Sequence, residues 1–154
     1  MQPTNNLGYL LQHLAFVMAR QNDQILQERL GLGFSQFKIL MVLQKNPSVQ
    51  QRDIADALGQ TEASISRQIR LMHDRGLLQS RISPENRRCH ITTPTTKGSR
   101  LVEEAMQVLN GFHAPMFDRL SDKQRAQLLE TLATMHQNVC QSGKTGACDR
   151  PFNA

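Results

Sequence analysis

Residues 48–98 read SVQQRDIADALGQTEASISRQIRLMHDRGLLQSRISPENRRCHITTPTTKG, and this stretch decides the fold. Ser48 stands three residues before Gln51, the spacing of a capping box, so a helix is expected to open there with Ile54, Ala55 and Leu58 on one face. Gly59 stops it, because glycine enters the left-handed region of a tight turn at no steric cost. Thr61 is a natural N-cap for a second helix, in which Ile65, Ile69 and Met72 recur at i, i+4 and i+7. Gly76 ends that helix. Leu77–Arg81 and Cys89–Thr93 then form short, partly β-branched segments around the tip Ser83-Pro84-Glu85-Asn86-Arg87-Arg88, with Pro94 closing the second. That is the pattern of a hairpin. Two helices, a tight turn and a basic hairpin make a winged helix-turn-helix, a layout suited to duplex DNA.

Helices are expected on both sides of this module. Upstream, Leu7, Leu10, Leu11, Leu14, Val17, Met18, Ile25, Leu26 and Leu30 fall at helical intervals, ended by Gly31-Leu32-Gly33. Ser35 is the expected N-cap of a further helix carrying Phe37, Ile39, Leu40, Val42 and Leu43, closed by Asn46-Pro47. Downstream, Thr95 or Thr96 caps a helix through Leu101, Val102, Ala105, Met106, Leu109 and Phe112, with a kink or break expected at Asn110-Gly111 and Pro115. Ser121 with Gln124 repeats the capping-box spacing and opens a last helix through Leu128, Leu129, Leu132, Met135 and Val139.

The fold class is therefore mainly α with a small β-hairpin wing. The expected division is an N-terminal dimerisation helix (1–33), the winged module (34–98), C-terminal dimerisation helices (99–142) and an aperiodic, mobile tail (143–154). The terminal helices carry long apolar stripes with little small-domain core to cover. Packing on each other and on a second copy would bury them, which predicts a two-fold homodimer.

Composition agrees with a globular chain: 154 residues, 39% hydrophobic and 20% charged. The net charge of +5 suits an anionic partner, whereas only 5% aromatic residues argues against stacking on single strands. Three cysteines, Cys89, Cys140 and Cys148, form no disulfide framework and point to a reducing, cytoplasmic setting. The N-terminus carries no secretory pattern and no run reaches membrane-span length. No glycine-rich phosphate loop or framed nucleophile is present, so neither an enzyme nor a cofactor is expected.

In a helix at 100° per residue with Ile65, Ile69 and Met72 inward, the opposite face shows Gln60, Ala63, Ser66, Arg67 and Arg70, with Ser64 at its edge and Thr61 at the N-terminus. Short polar groups and a methyl can approach base edges, and arginine can bond a guanine edge or a phosphate. From Arg67 to Arg88 there are six arginines against Asp74 and Glu85, a net +4. Arg87 and Arg88 at the tip suit the minor groove or its phosphate walls.

The runs Ile54-Ala55-Asp56-Ala57-Leu58-Gly59, Ser64-Ile65-Ser66-Arg67, Arg75-Gly76-Leu77-Leu78-Gln79-Ser80-Arg81, Pro84-Glu85-Asn86-Arg87-Arg88 and Thr95-Thr96-Lys97-Gly98 resemble the MarR family of bacterial winged-helix regulators. The resemblance extends from the first helix to about Cys140. It implies a homodimer on a pseudo-palindromic operator, usually a repressor and often released by a small ligand or an oxidant. The sequence departs from the family pattern at Asn86, where an aspartate is usual, and at Pro94 and Met72, where leucines are.

Three signals compete. The resemblance implies a small aromatic or phenolic ligand in a crevice between dimer helices and winged module, for which His13, Phe16, Phe37 and Met41 are the candidates. Cys89, beside Arg87, Arg88 and His90, is a candidate redox switch. His136 and Cys140, at i and i+4, have metal-compatible spacing, but two ligands do not make a site. A winged helix used only for protein contact is the remaining alternative.

Overall fold

The computed structural model describes residues 6–85, 87 and 90–141. Among them run α1 (Leu7–Leu30), α2 (Phe34–Lys45), α3 (Gln51–Leu58), α4 (Glu62–Asp74), β1 (Leu78–Ile82), β2 (His90–Pro94), α5 (Thr96–Phe117) and α6 (Asp122–Gln141). Residues 143–154, expected to be a mobile tail, lie outside the described residues, as do Asn86, Arg88 and Cys89.

Several helix ends form as the sequence predicts. Gly31 and Gly59 take left-handed φ of 59° and 61° and return their N–H groups to the preceding turn. Thr61 Oγ1 accepts from the Ser64 N–H at 3.1 Å, and Thr95 Oγ1 accepts from the Gly98 N–H at 3.1 Å. Ser121 and Gln124 form the reciprocal box, at 3.3 and 2.9 Å.

Two predicted caps do not form. Helix α2 starts at Phe34, before Ser35, with Gly33 as N-cap. The Phe34 N–H donates to Asp23 Oδ1 of α1 at 2.8 Å, and the Gly33 N–H donates to Gln36 Oε1 at 3.3 Å. A carboxylate reaching across from α1 is a stronger acceptor than a local hydroxyl, and it leaves Ser35 free for other work. Likewise α3 starts after Gln50, with no side-chain cap. Ser48 lies inside a turn closed by the Val49 N–H on the Asn46 carbonyl (3.1 Å), and Val49 packs on the core.

Helix α5 also differs from expectation: it runs unbroken through Asn110-Gly111 and Pro115. Proline lacks only the bond to the carbonyl four residues back, which belongs to Gly111, and it stands in the last turn, where little helix remains to be lost. Strand β1 begins one residue later than predicted. The Leu77 N–H bonds to the Met72 carbonyl at 2.9 Å, so Leu77 still belongs to the end of α4. The hairpin is antiparallel, with Ser80 opposite Thr92.

Helix α2 is the centre of the packing. Its Ile39, Leu40, Val42 and Leu43 meet Leu26 of α1, Leu32 of the α1–α2 connection, Ile54 of α3, Ile65 and Met72 of α4, Leu77, and Val102 and Ala105 of α5 in one buried cluster. Each large apolar side chain so buried contributes about 1.5–3 kcal/mol. The cluster is continuous across residues 33 and 98, so α1 and α5 share the core of the winged module.

The start of α5 is strapped to the end of α4. Thr95 Oγ1 donates to the Gly76 carbonyl at 2.7 Å, the Thr95 N–H to the Leu77 carbonyl at 3.0 Å, and Lys97 Nζ to the Arg75 carbonyl at 2.8 Å. Gly98 lies so close to Leu77 that a Cβ there would collide with its carbonyl oxygen.

Candidate nucleic-acid interface

Helix α4 has a buried side (Ile65, Ile69, Met72) fixed by the core. Its polar residues divide into two groups. Gln60, just before the helix, donates through Nε2 to Ser35 Oγ at 2.7 Å and accepts from Ser64 Oγ at 3.4 Å. Gln68 Oε1 accepts from Gln36 Nε2 at 2.9 Å, and His73 Nε2 lies 3.0 Å from Ser80 Oγ. These groups hold the helix to α2 and to the wing. In contrast, Ala63, Arg67 and Arg70 are exposed, Ser66 is half-buried, and neither arginine makes a hydrogen bond or ion pair among the described residues.

The nine residues predicted to face DNA are thus placed unequally. Ala63, Ser66, Arg67 and Arg70 share one open face. Thr61 opens the helix as its cap and is exposed, so the positive end of the helix dipole lies open beside it. Gln60 and Ser64 are half-buried and hydrogen-bonded to each other. Arg87 is exposed at the tip, and Arg88 lies outside the described residues. Arg75, counted with the basic residues, is engaged by α2 through Nη1 to Gln36 Oε1 at 3.3 Å.

Sequence reasoning missed the polar ties of α4 to α2. The spacing Gly33-x-x-Gln36 carries a weak N-cap signal for Gln36. The Ser35–Gln60 bond, between residues 25 apart, has no local signature.

The four effector candidates lie in different environments. Phe37 is in the core, stacked on Phe34 at 6.1 Å, and Met41 packs against that core. His13 is exposed and stacked on Tyr9 at 5.7 Å. Phe16 is 60% exposed and lines an open groove with Val17, Ala19, Arg20, Gln21, Asp23 and Gln24, all from α1. The neighbouring face of α2 carries Lys38, whose Nζ stands 4.9 Å from the Phe34 ring centroid. Burial without a compensating acid pushes the Lys38 pKa below the usual lysine range.

The redox candidate Cys89 lies outside the described residues. On α5, His113 places Nε2 2.6 Å from Asn22 Oδ1 of α1. No three His, Cys, Asp or Glu residues converge on a metal-sized site among the described residues. No helix there is long and apolar enough to cross a membrane.

A sequence model of the MarR family matches residues 30–88, from the end of α1 through β1 and short of β2. The chain is 27% identical over 135 residues to a putative transcriptional regulatory protein for the hcr operon of Thauera aromatica, covering 85% of this chain and 79% of that one. It is 23% identical over 109 residues to the HTH-type transcriptional regulator YdgJ of Bacillus subtilis, covering 71% of this chain and 66%, just under two thirds, of that one. Among solved structures, a MarR family protein of Mycobacterium tuberculosis in complex with salicylic acid superposes with a TM-score of 0.72 at 25% identity, covering 84% of this chain and 96% of that one. The chain thus has the winged helix-turn-helix fold of these structures, and it is similar to the MarR family of transcriptional regulators.

Proposed function

We propose that the protein is a homodimeric repressor that binds a pseudo-palindromic DNA operator and is released by a small aromatic ligand. One observation carries the DNA reading: α4 ties Gln68 to α2 and His73 to the wing and leaves Arg67 and Arg70, with Ala63 and Ser66, on an open face. In this reading Arg67 and Ser66 meet base edges in the major groove, Ala63 offers a methyl to thymine, and Arg70 clamps a phosphate. Gln60 and Ser64 set the depth of the helix, and the Thr61-capped terminus faces the backbone. Arg87 and Arg88 follow the minor groove.

The terminal helices support the dimer. Leu7, Leu10 and Leu14 of α1, Phe112 and Met116 of α5, and Leu128, Leu129 and Leu132 of α6 are exposed in a single chain, and large apolar side chains gathered on terminal helices suit a protein–protein contact. A crevice between two protomers and the α1–α2 face is the proposed ligand site, with His13, Phe16, Phe37 and Met41 around it. The relative that carries salicylic acid supports an aromatic ligand.

Selection of genomic fragments by the purified protein, repeated as salt is raised, tests this reading. An enriched inverted repeat is expected, with half-sites about one helical turn apart. Affinity should fall roughly 10³–10⁵-fold between about 50 and 200 mM salt if about 6–10 phosphates are contacted. No enrichment at any salt would instead support a winged helix that contacts only protein.

A further inference from the structure

The wing leaves the body of the protein with few apolar contacts. In β1 only Leu78 is buried, and Gln79, Ser80, Arg81 and Ile82 are exposed. Strand β2 is fixed to the α2–α3 connection by its backbone, the Thr92 N–H donating to the Pro47 carbonyl at 3.2 Å. Among the described residues no comparable backbone bond ties β1 to α4 beyond Leu77. One side-chain chain does so. His73, in the last turn of α4, places Nε2 3.0 Å from Ser80 Oγ, and Ser80 Oγ lies 2.9 Å from Thr92 Oγ1. Ser80 and Thr92 are directly opposed in the ladder, so both hydroxyls stand on the same face of the hairpin.

We propose that this His73–Ser80–Thr92 chain braces the wing against the recognition helix, and that His73 is a positioning residue for the wing's contact with DNA. The positioning role rests on the DNA reading above; the brace does not. Each hydroxyl both donates and accepts, so the chain can run in either direction. With Nε2 bare, Ser80 donates to His73 and accepts from Thr92. With Nε2 protonated, His73 donates to Ser80 and Ser80 donates to Thr92. Either tautomer of His73 therefore preserves it. The brace meets β1 beyond the last buried residue, where the strand has left the core. Without it, the hairpin pivots about Leu77–Leu78, and the arginines at its tip sweep a wider arc relative to α4.

Amide exchange across residues 78–82 and 90–94, measured without DNA, tests the brace. His73→Leu and Ser80→Ala should each speed exchange of the hairpin by about 2- to 12-fold, the worth of one net hydrogen bond. Their double variant should be no faster than either alone, since both break one chain. His73→Gln, whose amide reaches the place of Nε2, should restore the slow rate. Unchanged exchange in both single variants, or additive effects in the double, overturns the brace. Affinity for a short random-sequence duplex tests the positioning. The braceless variants should weaken binding and flatten its salt dependence by about one phosphate's worth, with a thermal midpoint close to that of the parent. Faster exchange with unaltered affinity and salt slope overturns the positioning role. Arg87→Ala/Arg88→Ala serves as the reference. If it leaves the salt slope intact, the wing's assignment to DNA fails, and the positioning role with it, while exchange still decides the brace.

Discussion

Leucines have opposite fates in the winged module and in α6. Leu40 of α2 has no exposed surface, in a cluster drawn from α1 to α5. Leu129 of α6 is 66% exposed, and no residue from 122 to 138 is buried. Both helices have satisfied N-termini and apolar periodicity, so the contrast does not arise from helix formation itself. It arises because the module closes its core within one chain, whereas α6 has a finished backbone and an unfinished surface. Propensity and capping build a helix, but a partner is required to cover its stripe.

Substitution of paired leucines sharpens this comparison most strongly. Leu40→Ala should destabilise the fold by about 2–5 kcal/mol, the cost of a large-to-small change in a packed core, as read by urea unfolding. Leu129→Ala should leave the stability of a diluted, monomeric chain nearly unchanged and shift the monomer–dimer equilibrium in sedimentation velocity. Equal effects of the two on chain stability would erase the distinction between the regions.

Next in size is Gly98→Ala, which forces a methyl against the Leu77 carbonyl at the junction of the two regions. A loss of about 1–3 kcal/mol or more is expected from such overpacking. A thermal midpoint equal to the parent's would show that α5 can lift off α4 freely.

Arg67→Ala acts on the DNA face alone. It should cost about 1–3 kcal/mol on the selected operator if the guanidinium reads a base edge, and much less on random duplex. Equal losses on both would make Arg67 a phosphate clamp.

The smallest effect concerns Lys38. Its folded-state pKa lies below the unfolded value, so between the two the unfolded chain binds the additional proton and stability rises with pH. The desolvation cost of the ammonium is therefore felt at neutral pH and fades as alkaline pH approaches the lysine range. Lys38→Met should narrow that alkaline rise in a series of urea midpoints. A rise equal to the parent's would place its source elsewhere.

Much of this architecture was legible because its signals are local. Gly59 with Thr61 marked the turn and the cap of the recognition helix, and the i, i+4, i+7 run of Ile65, Ile69 and Met72 fixed which side of α4 is buried. The direction of Arg67 and Arg70 follows from that phase alone. What could not be read was tertiary. Asp23 caps α2 from another helix and displaced Ser35 from that role, and Val49 drew Ser48 into a turn. Gln60, placed on the DNA face by phase, turned to Ser35 because a hydroxyl stood within reach. The ligand candidates show the same limit. Helical phase cannot tell Phe37, which the core takes, from Phe16, which it leaves out.

The strap formed by Thr95, Lys97 and Gly98 has a mechanical consequence. The carbonyls of residues 75–77, just past the end of α4, are held by Thr95 and Lys97 at the start of α5, so the two helix ends meet at an elbow closed by three hydrogen bonds. In the proposed dimer the long arm of that elbow lies against the second copy and the short arm enters the groove. In that proposal a tilt of α5 pulls on the end of α4 through these three bonds, and the spacing of the two recognition helices changes with it.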